Sequence, residues 1–154
     1  QFKPVLALTT IAGVAFGGEV GFLVGAMTML TSNMIFGQGP WTPWQMFAFG
    51  IIGFAAGILF NKGFLKKTKT SLCIFGFLVT LVIYGGIMNP ASVIMWQSKI
   101  NLKMLISSYA AGLPFDLIHA LSTAVFLWFI SGPMIDKLER IKIKYGLVEN
   151  NKKM

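Results

Sequence analysis

The chain alternates long apolar runs with short polar gaps, and the runs have the lengths of membrane helices. They cover roughly residues 5–16, 20–36, 44–60, 71–88 and 105–130, the fourth trailing on towards residue 96. A spanning helix needs about 20 mostly apolar residues. The first run is short for a full span, as in a clipped, tilted or broken helix; the others qualify or nearly do. Backbone groups in lipid must bond within their own segment, which makes these runs helices, and no alternating period suggests a barrel. Gly17-Gly18-Glu19 reads as a turn, and Asn89-Pro90 as the end of the fourth helix. The predicted fold class is an all-α membrane protein, a compact bundle of five visible transmembrane helices. It forms a single integral membrane domain over 1–154, with a basic cytoplasmic tail over 134–154.

Composition supports the membrane reading. The chain of 154 residues is 55% hydrophobic and 12% charged, with a mean hydropathy of +0.72. Soluble domains carry about 25% charged residues. One cysteine, Cys73, gives no internal disulfide. One histidine and five acids give no basis for a metal site, and no cofactor is expected.

The net charge of +8 reads as topology rather than as a nucleic-acid surface, because the basic residues sit in gaps between apolar runs. Lys62, Lys66, Lys67 and Lys69 follow the third run. Lys137, Arg140, Lys142, Lys144, Lys152 and Lys153 follow the fifth, so the two places hold 10 of the 13 basic residues. Two helices separate them, which puts them on one side, and the positive-inside rule makes that side cytoplasmic. The 37–44 loop and the 89–103 region then face outward. Five helices with an outside N-terminus, opening at Gln1, lead to the expectation of an N-terminal truncation with a missing first helix, six in all.

Gly13, Gly17, Gly21 and Gly25 recur at intervals of four, and Gly53 and Gly57 repeat the spacing. Small residues at this interval let membrane helices approach closely; they imply a compact bundle and say nothing of a ligand.

Candidate chemistry gathers at the outer mouth. Pro40 and Pro43 stiffen the loop Gly37-Gln38-Gly39-Pro40-Trp41-Thr42-Pro43-Trp44-Gln45. Trp41 and Trp44 offer stacking faces, and Gln38 and Gln45 offer donors and acceptors. The competing reading is an interfacial aromatic belt. Asn89, Trp96, Gln97 and Asn101 form the opposing outer region, and Asn33 and Tyr84 lie at a similar depth. In the last run Asp116 falls ~16 Å from the helix start, near the bilayer middle, with His119 at i+3 on the same face. An intramembrane carboxylate is a functional candidate by default. It reads either as a ligand, gating or proton-relay site, or as an Asp–His pair that pins the helix to its neighbours. No phosphate-binding loop, nucleophile elbow or His-Glu-x-x-His pair is present, so energy for active transport must come from an ion gradient or a partner.

These residues are familiar as a set. Phe2-Lys3-Pro4, the Gly17–Gly25 step, Asn33 with Gly37-Gln38-Gly39-Pro40-Trp41-Thr42-Pro43-Trp44-Gln45-Met46, Pro114-Phe115-Asp116-Leu117-Ile118-His119-Ala120, and Leu138-Glu139-Arg140 with Lys144-Tyr145-Gly146-Leu147 resemble a substrate-specific component of the energy-coupling factor (ECF) transporters. The resemblance implies a six-helix protein of the bacterial inner membrane that is not itself an enzyme. It implies capture of a vitamin or similar micronutrient from outside, a transmembrane coupling subunit, two ATPase subunits, and toppling in the bilayer to release cargo. It places Gln38, Trp41 and Trp44 on the outer binding loop, which resembles the branch associated with cobalamin-type cargo. The family's first helix, much of its contact with the coupling subunit, has no counterpart in this chain. Two other readings stand beside it: an ion-coupled secondary transporter using Asp116 and His119, and an assembly subunit that binds no ligand.

Overall fold

The computed structural model describes residues 4–146; Lys3 and residues 147–154, with Lys152 and Lys153, lie outside the described residues. Among the described residues the regular structure is all helical. Five helices succeed one another: α1 (Val5–Phe16), α2 (Gly18–Phe36), α3 (Thr42–Asn61), α4 (Lys69–Trp96) and α5 (Leu102–Lys144). The last four are each long and apolar enough to cross a membrane. α1 has 12 residues, ~18 Å at the helical rise, and falls short.

Neighbouring helices run antiparallel. Asn33 meets Gln45 at one end of the α2–α3 pair. Phe60 packs edge-on against Phe75, and Phe49 against Tyr84, along α3 and α4. Cys73 donates to the Ala124 carbonyl and Asn89 to Asp116 along α4 and α5. The 37–41 turn and the 97–101 connection therefore share one end of the bundle. At the opposite end Lys67 pairs with Glu139 at 3.5 Å, Lys69 lies 5.5 Å over the Trp128 ring, and Lys142 donates to the Ala15 carbonyl. The two lysine-rich segments thus occupy one end, as their spacing in the sequence requires.

The first three helices touch through their backbones. A Cβ on Gly53 would collide with the Gly21 carbonyl, and one on Gly21 with the Gly53 carbonyl. Gly13, Gly25 and Gly57 continue the seam. Asn61 closes it by donating to the Gly57 and Gly13 carbonyls at 2.8 and 3.2 Å. Gly17 alone breaks α1 from α2. Its φ of 98° suits glycine, while Gly18 and Glu19, expected within the turn, already belong to α2.

Four boundaries differ from the sequence reading. α3 starts at Thr42, two residues before the expected 44, with proline in its first turn, so Thr42 and Pro43 are helical rather than loop residues. α4 continues through Asn89-Pro90 to Trp96. Its residues Thr80–Tyr84 form a π-helical turn, a widening that resets the register of the remaining turns up to Trp96. α5 starts at Leu102, where Asn101 caps it by accepting from the Met104 amide at 2.9 Å. It then passes Pro133 and runs on to Lys144, so the first part of the expected tail is helix. The cause of that extension is a continuing apolar stripe: Ile135 is buried, and Met134 and Leu138 pack on the same core.

The glycine seam makes a measurable demand. Gly53→Ala should destabilise the bundle by about 1–3 kcal/mol through overpacking. Gly86→Ala gains the same helix propensity but meets open space, and should be neutral or slightly stabilising. Thermal unfolding of both variants in detergent checks this pair.

Candidate functional site

The 37–41 turn is built by local bonds. The Thr42 amide donates to the Gly39 carbonyl at 3.1 Å, the Gln45 amide to the Trp41 carbonyl at 3.0 Å, and the Trp41 ring lies over Gly39. Gln38 is exposed, and Trp41 and Trp44 are half-buried. Gln45, one turn into α3, points inward: its Oε1 accepts from Asn33 Nδ2 at 2.8 Å, and its side chain lies beside the Tyr84 hydroxyl. Tyr84 in turn sits edge-on to His119, with ring centroids 4.7 Å apart. Asn33, Gln45, Tyr84 and His119 thus form one chain of contacts across α2, α3, α4 and α5.

A second set of contacts fastens α4 to α5. Asp116, only 9% exposed, accepts from Asn89 Nδ2 at 2.7 Å. Gly112 gives Asn89 room, since a Cβ there would strike its amide oxygen. One further turn towards the start of α5, the Tyr109 hydroxyl donates to the Gly86 carbonyl at 3.0 Å. That carbonyl is the one Pro90 leaves without its i+4 amide donor. An orphaned carbonyl in lipid costs free energy, and Tyr109 answers it from the neighbouring helix. This is why Pro90 does not end α4. Deeper in the seam, Thr80 bonds the Gly76 carbonyl at 2.7 Å and lies 3.3 Å from the Thr123 hydroxyl.

Above this seam the two helices diverge and leave an open groove of about 630 Å³. Ser92, Trp96 and Gln97 stand on the α4 side; Asn101, Lys103 and Ser107 stand on the α5 side. Trp96 is 66% exposed, a large aromatic face beside hydroxyl, amide and ammonium groups. Such a mixture suits a planar ligand with a polar periphery.

The structure therefore divides the sequence-predicted site residues. Gln45 joins the inner chain with Asn33, Tyr84 and His119. Asn89 and Asp116 join the seam beneath the groove. Trp96 lines the groove itself. Gln38, Trp41 and Trp44 share that end of the bundle but do not line the groove. Sequence reasoning missed Tyr109, Lys103, Ser107 and Ser108. Pro90 was the available signal for Tyr109, because a proline inside a membrane helix requires a donor from elsewhere.

Tyr109→Phe should cost about 1 kcal/mol, the scale of a membrane interhelical hydrogen bond. In a Pro90→Ala background the cost should vanish, since residue 90 then supplies the ordinary helical N–H to the Gly86 carbonyl. Unfolding of the four proteins of this cycle in denaturant reads the coupling directly.

The sequence is similar to those of known proteins. The family model for the ECF-type riboflavin transporter, S component, matches residues 1–135. UPF0397 protein VS_II0189 of Vibrio atlanticus (strain LGP32) is 29% identical over 92 residues, 58% of this chain and 50% of that protein. The chain thus spans about half the length of that curated relative. No solved structure matches. The family match corrects the expected cobalamin-type branch, because the matching model describes the riboflavin type. With a match over most of its length and a bundle of membrane-crossing helices, this chain belongs to the ECF-type riboflavin transporter S component family.

Proposed function

We propose that the chain is the substrate-binding subunit of an ECF-type importer and captures a flavin such as riboflavin from outside the cell. A transmembrane coupling subunit and two ATPase subunits supply the energy, and this chain performs no hydrolysis. The observation that carries the reading is the groove between Trp96 and the start of α5. Its volume of about 630 Å³ lies within the ~300–1,000 Å³ of pockets that hold drug-sized ligands. Trp96 would stack on the tricyclic ring. Ser92, Gln97, Asn101 and Ser107 would bond carbonyl, imide and ribityl groups. Trp41 and Trp44, at the same end, would cover the bound ring, with Gln38 at the solvent edge. Asn89 and Asp116 hold the groove floor, and Gln45 with His119 ties that floor to the covering turn.

Purified protein should quench riboflavin fluorescence on binding. Trp96→Ala should raise Kd at least tenfold with thermal stability unchanged, and Trp41→Ala should raise it by a smaller factor. No saturable riboflavin binding by the wild type would sink the reading.

Capture from outside further requires the 37–41 turn to face the medium and the lysine-rich end to face the cytoplasm. In a Cys73→Ala background, Gln38→Cys, at an exposed position of the turn, should react with an impermeant maleimide on intact cells, and Lys66→Cys should not. The reverse pattern contradicts import.

A further inference from the structure

A second groove lies at the lysine-bearing end, away from the proposed ligand site. It has a volume of about 390 Å³ between α3 and α4, with Leu59, Leu65, Ile74, Phe75 and Leu78 on its walls and Ser71 as its polar edge. The loop 62–68 folds over one end of it, because the Leu65 amide bonds back to the Leu59 carbonyl at 3.0 Å. Four lysines lie in or beside that loop, and they are used unequally. Lys67 pairs with Glu139 and Lys69 lies over Trp128, so both turn towards α5. Lys62 and Lys66 are exposed and make no ion pair among the described residues. In sequence Lys62 follows Leu59 by three residues, and Lys66 follows Leu65 directly. Phe64, between them, is 71% exposed.

We propose that this groove is a binding site for one anionic phospholipid of the adjoining leaflet. Its acyl chain lies along Leu59, Ile74 and Leu78, and its phosphate is held by Lys62 and Lys66. Charge complementarity selects the occupant. A purely apolar partner leaves the two exposed lysines of the loop that closes the groove unmatched, whereas an anionic headgroup over an acyl chain answers both. Basic pockets between membrane helices recognise anionic lipid headgroups in this manner. The unequal use of the lysines makes the site local rather than a property of the overall charge.

Native mass spectrometry of the purified full chain, released from micelles with equal phosphatidylglycerol and phosphatidylcholine, tests this. The wild type should retain one phosphatidylglycerol with about tenfold preference, the scale of one to two basic residues at an anionic surface. Lys62→Gln with Lys66→Gln should bring the ratio close to one. Lys67→Gln removes equal charge per site but should leave it unchanged. Ile74→Trp, at an exposed groove position, should reduce retention by filling the acyl channel. Equal retention of both lipids by the wild type overturns the proposal, as does an equal loss in Lys67→Gln. Retention untouched by Ile74→Trp overturns the acyl placement. Cross-linking of a cysteine at Ile74 to a co-expressed membrane protein, with no phosphatidylglycerol retained, assigns the groove to that protein instead. None of these readouts depends on riboflavin.

Discussion

Apolar side chains gain little by leaving hydrocarbon for a helix partner, so association in a membrane rests on close backbone approach and interhelical polar bonds. In this chain the closest approach is the packing of α3 against α1 and α2. Gly21 and Gly53 face each other across it without room for a methyl group on either. The rest of the bundle is referenced to that contact. It fixes the rotation of α3, which brings Gln45 to Asn33 at one end and Asn61 to the Gly13 carbonyl at the other. The same rotation turns Phe49 and Phe60 towards Tyr84 and Phe75, seating α4.

The α4–α5 pair is held by a different means. Its fastenings are hydrogen bonds and polar contacts spaced along the seam: Cys73 to Ala124, Thr80 beside Thr123, Asn89 to Asp116 and Tyr109 to Gly86. A membrane hydrogen bond of this kind contributes about 1 kcal/mol. Such a seam is easier to separate than a continuous glycine contact. Its last fastening is at Gly86 and Tyr109, and the groove opens beyond it. The two halves of the fold thus differ in kind. One is a tightly joined frame, and the other is a clipped pair whose free ends border the open groove.

Much of this is legible in the sequence because membrane helices obey simple rules. Run length yields the five helices, the glycine interval yields the seam, and the lysine spacing yields the shared basic end. The errors have a common origin. Asn89-Pro90 reads as a terminator, and residue 130 as the end of the last run, on rules of thumb for an isolated helix. A proline's freed carbonyl can be satisfied from a neighbouring helix, as Tyr109 does for Gly86. That donor is invisible until the antiparallel register of α4 and α5 is known. Thr42 and Pro43 read as loop residues only while proline counts as loop chemistry rather than as a first-turn residue. The cobalamin-type reading rests on a tryptophan-rich turn that does not line the groove, and the family model that matches is the riboflavin type.

Asp116 is best understood through its spacing from Tyr109. The two are seven residues apart on α5, two turns along one face. Both engage the short segment of α4 between Gly85 and Pro90, one through Asn89 and the other through the Gly86 carbonyl. Gly112 lies between them on α5 and makes room for Asn89. This segment lies between the π-turn at Thr80–Tyr84 and Pro90, so it is where the backbone ladder of α4 is least regular. An acid that grips such a segment acts on whatever the helix carries beyond it, here Ser92 and Trp96. The chemistry of Asp116 and the shape of the groove are therefore coupled through α4, with no need for the carboxylate to touch a ligand.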